Sequence, residues 1–194
     1  MIISQIKEHQ QVVNDLLEQC VPTIEKIIEL CKGAVVTGHT IFLCGNGGSA
    51  ADSQHIAAEF VGRFLKEREG LPAIALTTDT SILTAVGNDY GFDKVFSRQV
   101  EALGKPGDIL IGISTSGNSR NVIAAFEKAK VKQMKTIAFT GNKSSESEKI
   151  ADVTLKIPSA ITARIQECHI LVGHIVCNAI DELVVQNLKT IKSC

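Results

Sequence analysis

Five apolar runs, each too short for a helix and each bounded by glycine, proline or polar residues, constrain the fold most: Ile41–Cys44, Ala73–Leu76, Asp108–Ile113, Lys135–Phe139 and Val153–Ile157. Between them lie segments of helical composition, over about 50–66, 80–87, 92–103 and 119–132. Apolar strands that alternate with helices form a parallel sheet covered on both faces. Such sheets take ligands beyond the carboxyl ends of their strands. The stretch 141–149 reads as a polar loop, and 161–188 as one long helix, apolar nearly all round, hence buried. Residues 3–32 carry a helical stripe (Val13, Leu16, Leu17, Cys20, Ile24, Ile27, Ile28, Cys31), and Pro22 predicts a kink or a break into two helices. This arm, residues 1–35, packs on its own domain or in a helix bundle with other subunits. Residues 36–188 hold the α/β core and the last helix, the whole chain forming one domain.

Two loops stand at the sheet's ligand-binding edge. Gly45-Asn46-Gly47-Gly48-Ser49 follows the first strand and opens a helix, so bare backbone N–H groups and a helix dipole both favour an anion. Ser114-Thr115-Ser116-Gly117-Asn118-Ser119 follows the third strand and offers four hydroxyls just before another helix. Hydroxyls and helix amides suit a phosphate of about two negative charges. Ordinary helix capping by Ser116 or Ser119 would need only one of them. Gly45-x-Gly47-x-x-Ala50 with Asp79 also satisfies a relaxed dinucleotide fingerprint, but that reading leaves the serine loop unexplained.

His55 and Glu59 stand one turn apart on one helix face, directly after the glycine loop. They suit a metal or a proton-transfer site; a solvated helix face is the plainer alternative. His174, within Leu171-Val172-Gly173-His174-Ile175-Val176, is a hydrogen-bonded core histidine or a ligand.

Composition narrows the function. With 20 basic and 21 acidic residues, seven Phe, one Tyr and no Trp, nothing favours nucleic acid or an anionic membrane. No apolar run is expected to reach membrane-spanning length, and no leader pattern is read at the start. The six cysteines (20, 31, 44, 168, 177, 194) lack any C-x-x-C and read as reduced core residues of a cytosolic protein.

Taken together, Gly45–Glu59, Leu76-Thr77-Thr78-Asp79-Thr80, Gly87-Asn88-Asp89-Tyr90-Gly91, Ser114–Ser119 and Ala163-Arg164-Ile165-Gln166-Glu167 resemble the sugar isomerase (SIS) domain, and within it the phosphoheptose isomerase family, over about residues 41–182. The resemblance implies a three-layer α/β/α sandwich, flavodoxin-like, with a five-stranded parallel sheet, assembled as a cytoplasmic homotetramer. It implies conversion of sedoheptulose 7-phosphate to D-glycero-D-manno-heptose 7-phosphate, the first step of ADP-heptose synthesis for lipopolysaccharide. The implied substrate contacts are Asn46, Gly47, Gly48, Asn88, Asp89, Ser114, Thr115, Ser116 and Ser119, with Glu59 and Gln166 also touching the sugar. One zinc ion per subunit is implied on His55, Glu59, Gln166 and His174, with Glu59 and His174 as the acid–base pair. Helix geometry qualifies this set: Gln166 and His174 stand about 12 Å apart along a helix and roughly 80° around it. The site is therefore expected to be shared between chains, or the helix to bend near Gly173. The alternatives are a non-catalytic SIS binding protein of the replication-initiator-associating type and a phosphosugar-sensing regulator; residues 1–40 show no helix-turn-helix for the latter.

Overall fold

A computed structural model describes residues 1–192, with side chains through Gln186. The amphipathic arm forms two helices, α1 (Ile2–Gln19) and α2 (Val21–Val36), which break at Cys20 with Pro22 in the first turn of α2. There the missing N–H of proline costs nothing. Strands β1 (Ile41–Gly45), β2 (Ala73–Ala75), β3 (Ile109–Ile113), β4 (Lys135–Thr140) and β5 (Val153–Lys156) pair in the order β2-β1-β3-β4-β5, all parallel. Helices α3 (Gly48–Val61), α4 (Thr80–Tyr90), α5 (Ser97–Leu103), α6 (Arg120–Val131), α7 (Glu146–Ile150) and α8 (Thr162–Lys192) complete the chain, with a 3-10 turn at Phe92–Lys94.

Side chains alternate across each strand, so the sheet feeds two cores. Ile41, Leu43, Ile109, Ile111, Ile137 and Leu155 face α1, α2, α3 and α8, whereas Phe42, Cys44, Leu110 and Ala138 face α5 and α6. The three-layer α/β/α sandwich with a five-stranded parallel sheet is thus present as expected.

Three local readings change. The stretch 141–149 is not all loop: Ser145 caps α7, with its side chain 3.4 Å from Glu148 N, in a Ser-x-x-Glu start signal. Helix α4 runs through Gly87 to Tyr90 instead of ending at the glycine. The expectation that no segment reaches membrane-spanning length is also amended, since Thr162–Gln186 does so by length and composition, with mean hydropathy 1.5. That composition has a local cause. Cys168, Val172, Val176 and Ile180 of α8 are buried in the core beside α2 and α3. Cys20, Cys31, Cys44, Cys168 and Cys177 are free and buried, as expected, and Cys194 lies outside the described residues. Burial pushes the Cys31, Cys44 and Cys177 thiols up to about 12.

Candidate active site

The glycine loop and the serine loop emerge side by side because β1 and β3 are neighbours, with Gly45 in register with Ile113. Gly45 is glycine of necessity: a Cβ there would stand 2.8 Å from Ser49 and 2.9 Å from the Ile113 carbonyl. Gly47 caps α3 at φ +56°, a left-handed value that disfavours side chains. Gly47 and Gly48 are exposed and head the helix, whereas the next amides are already engaged: Ser49 N donates to the Asn46 carbonyl at 3.0 Å and Ala50 N to the Gly47 carbonyl at 3.1 Å. Across the gap, Ser114 Oγ lies 2.9 Å from Ser119 Oγ and 3.4 Å from Ser116 Oγ. Ser119 precedes α6 without making a side-chain cap bond, so plain helix capping does not account for its hydroxyl. A cavity of about 130 Å³ borders the glycine loop, lined by Gly45, Asn46, Gly47, Thr77 and Phe92 among others. Asp79 does not reach toward it as a ribose ligand would; it accepts a hydrogen bond from Ile82 N at 2.9 Å and caps α4. Asn88 and Asp89 fall on the last turn of α4, exposed and bonded to each other at 2.9 Å, rather than in the two loops.

Farther along α3, three predicted residues meet. His55 Nε2 lies 2.9 Å from His174 Nε2 and 3.4 Å from Glu59 Oε1. A bond between two ring nitrogens needs one donor and one acceptor, so the two rings cannot both be imidazolium. His174 also stacks on Phe64, with ring centroids 5.3 Å apart. Asp52, one turn before His55, keeps Oδ2 buried without a hydrogen-bond partner. Burial raises its carboxyl above the ordinary range, against the opposing pull of His55 and His174.

Helices α3 and α8 run parallel, as three contacts establish. Gln166 meets Gly48, Gly173 meets Ile56, and Asp181 accepts from Leu65 N at 2.7 Å. Gln166 therefore sits at the start of α3, about two turns from His55. Helix α8 runs unbroken through Gly173, whose missing side chain makes room for Ile56: a Cβ there would lie 2.5 Å from Ile56 Cδ1. Within one chain, then, His55, Glu59 and His174 gather and Gln166 does not join them.

Among the described residues, no three His, Cys, Asp or Glu side chains form a ready metal site. The donor types nonetheless fit zinc, since tetrahedral binding at about 2.05 Å requires imidazole nitrogens roughly 3.3 Å apart. The His55–His174 spacing of 2.9 Å is short of that by a small side-chain movement.

Sequence reasoning missed the support behind this cluster. Arg68 Nε donates to Asp181 Oδ1 at 2.7 Å, with both side chains almost fully buried. Arg68 Nη2 donates to the Glu59 carbonyl at 2.8 Å and Nη1 to the Phe60 carbonyl at 2.8 Å, so the last turn of α3 is tied to α8. The pair is 113 residues apart in sequence, and only the charge of Asp181 in an apolar helix hinted at it.

A five-stranded parallel sheet with two helix-opening loops side by side at its carboxyl edge, and an imidazole–carboxylate cluster beyond them, is the architecture of the SIS class. The SIS domain pattern matches residues 6–141. A phosphoheptose isomerase of Burkholderia pseudomallei is 52% identical over 185 residues, 94% of each chain. The structure of a phosphoheptose isomerase from Neisseria gonorrhoeae superposes with a TM-score of 0.88 at 46% identity, covering 93% of this chain and 97% of that one. A Francisella tularensis phosphoheptose isomerase gives a TM-score of 0.90 at 38% identity, covering 93% and 96%. The chain belongs to the phosphoheptose isomerase family of SIS domains.

Proposed function

We propose that the chain isomerises sedoheptulose 7-phosphate to D-glycero-D-manno-heptose 7-phosphate by proton transfer through an enediol. The observation that carries this is the meeting of His55 and Glu59, on the helix that begins at the glycine loop, with His174 of α8. From Gly48 to His55 is about 10 Å along α3, a span of the order of a seven-carbon chain with its phosphate at one end. Ketose–aldose isomerisation needs a base over C1 and C2 and a shuttle between their oxygens. Glu59 presents Oε1 to His55, which leaves Oε2 for the carbon-bound proton. His174, already within hydrogen-bond distance of one ring nitrogen, exchanges the oxygen-bound proton. Gly47, Gly48 and the serine hydroxyls hold the phosphate and fix the sugar's direction. One zinc ion per subunit, held by His55, Glu59 and His174 with Gln166 from a second chain, would polarise the carbonyl as a Lewis acid; because a metal-bound carboxylate or imidazole is a poorer base, ligation and proton transfer by Glu59 and His174 would belong to different moments.

This arrangement requires a homo-oligomer, which we take to be a tetramer. The exposed Ile2, Ile3, Ile6 and Leu17 of α1 offer an apolar face for assembly. The buried free thiols suit a reducing compartment, the cytoplasm. Activity on sedoheptulose 7-phosphate tests the reaction, and mixed oligomers test the shared site. Gln166→Ala and His174→Ala proteins, each inactive alone, should regain part of the activity when co-assembled. Inactivity of the mixture beside an active wild type would return Gln166 to its own chain's site. A wild type that binds the sugar phosphate without forming aldose would make the protein a non-catalytic binder.

A further inference from the structure

The two loops of the cradle are joined by a reciprocal amide pair. Asn46 Nδ2 donates to Asn121 Oδ1 at 2.9 Å, and Asn121 Nδ2 donates back to Asn46 Oδ1 at 2.8 Å. Asn121, the second residue of α6, is 3% exposed, and its Oδ1 also accepts from Val122 N at 3.0 Å. Both loops open helices whose amino ends carry partial positive charge, and like ends brought together repel. An anion between them relieves the repulsion only while it is bound. The amide pair acts whether or not an anion is present, and two bonds in a closed ring fix both the gap and the tilt of the loops.

We propose that Asn121 is a positioning residue for the phosphate. It never touches the ligand; it holds the Asn46–Gly47–Gly48 turn at the distance from Ser114, Ser116 and Ser119 that a phosphate needs. The inference rests on reading the cradle as the phosphate site. The ring also commits one donor and one acceptor of the Asn46 side chain to Asn121. Half of that amide's bonding capacity is therefore spent on the cradle itself.

Asn121→Asp separates positioning from folding. A carboxylate still accepts from Asn46 Nδ2 and Val122 N but cannot donate to Asn46 Oδ1, so two oxygens face each other and the ring opens. A negative charge in the first turn favours α6 and offsets part of the cost of burying a carboxylate at a 3% exposed position, so the thermal midpoint should fall by a few degrees while the protein stays folded. Asn121→Ala opens the ring without adding charge. Calorimetry with inorganic phosphate should show binding weakened about tenfold in the Asp variant and several-fold in the Ala variant. KM for sedoheptulose 7-phosphate should rise in parallel, with kcat changed by less than about threefold. An Asn46→Ala/Asn121→Ala protein should bind phosphate about as well as the weaker single variant.

Unchanged phosphate affinity in Asn121→Ala would overturn the proposal and leave charge repulsion as the cause in the Asp variant. A fall in kcat at constant KM, or unfolding of both variants, would overturn it equally. If wild type binds phosphate with this sensitivity to Asn121 yet makes no aldose, the isomerase reading fails and the positioning role stands. If wild type makes aldose while phosphate binding ignores Asn121, the positioning role alone fails.

Discussion

Replacing Asp181 with Asn should destabilise the protein far more than any surface charge change in the same region. Asp181 Oδ1 receives Arg68 Nε at 2.7 Å, and Oδ2 receives Leu65 N at 2.7 Å and Lys66 N at 2.9 Å. An asparagine has one oxygen for these three donors. If the oxygen keeps the two backbone amides, its NH2 group confronts the guanidinium; if it keeps Arg68, two buried amides lose their acceptor. Either way a buried guanidinium, at 1% side-chain exposure, lacks its counter-charge. Removing one partner of such a pair costs about 3–5 kcal/mol, a fall in midpoint of roughly 10 °C for a chain of this size. The Lys66–Glu182 pair joins the same loop to the same helix at 2.5 Å, but its side chains are 38% and 45% exposed. Glu182→Gln should therefore cost under about 1 kcal/mol. Urea and thermal unfolding at one fixed chain concentration compare the two, because the proposed subunit assembly would add a concentration-dependent contribution. An Asp181→Asn protein within about 1 kcal/mol of wild type would refute the view that this staple secures the end of α3. The same reasoning predicts slower turnover per folded molecule, since Arg68 also holds the Glu59 carbonyl.

Two further outcomes follow from buried groups and the site. Glu59→Gln removes the proposed base while keeping shape, so turnover should fall to near the uncatalysed level with phosphosugar binding largely kept; wild-type-like kcat would remove Glu59 from the mechanism. His169 is fully buried against Phe139, with Nε2 3.2 Å from the Thr140 carbonyl, and burial lowers its pKa from 6.5 to about 4. Between those values the unfolded chain binds the extra proton and the folded chain does not. Stability should therefore fall as pH drops from about 6.5 toward 4, by about 3 kcal/mol in total. Urea midpoints across that range should show this slope in wild type and its loss in His169→Gln; an equal slope in both would contradict it.

The sheet was legible because each strand is an apolar run flanked by breakers, and because both ligand loops directly follow strands. The break at Pro22 was legible for the same local reason. Helix α7 was not, since four polar residues and a single isoleucine carry no periodicity and only the Ser145–Glu148 spacing marks its start. Asp79 illustrates how one residue type serves two local roles: a carboxylate at a strand end is a ribose ligand in one fold and a helix cap here. The conflict between Gln166 and His174 could be worked out beforehand from helix rise alone, and the separate positions of the two residues agree with it. The Asn46–Asn121 ring and the Arg68–Asp181 staple join residues 75 and 113 positions apart, and sequence periodicity contains no information about such pairs. Local chemistry is legible in the sequence; the long-range support that holds it in place is not.

In the proposed function, the cradle and the His55–Glu59–His174 cluster act on one phosphorylated sugar. The most direct test of this is an NMR time course of purified protein with sedoheptulose 7-phosphate, run with and without added zinc. A growing signal for the aldose heptose 7-phosphate is expected, one that reaches equilibrium from either direction and is absent with Glu59→Gln. A folded, phosphate-binding wild type that yields no aldose under either condition would contradict it.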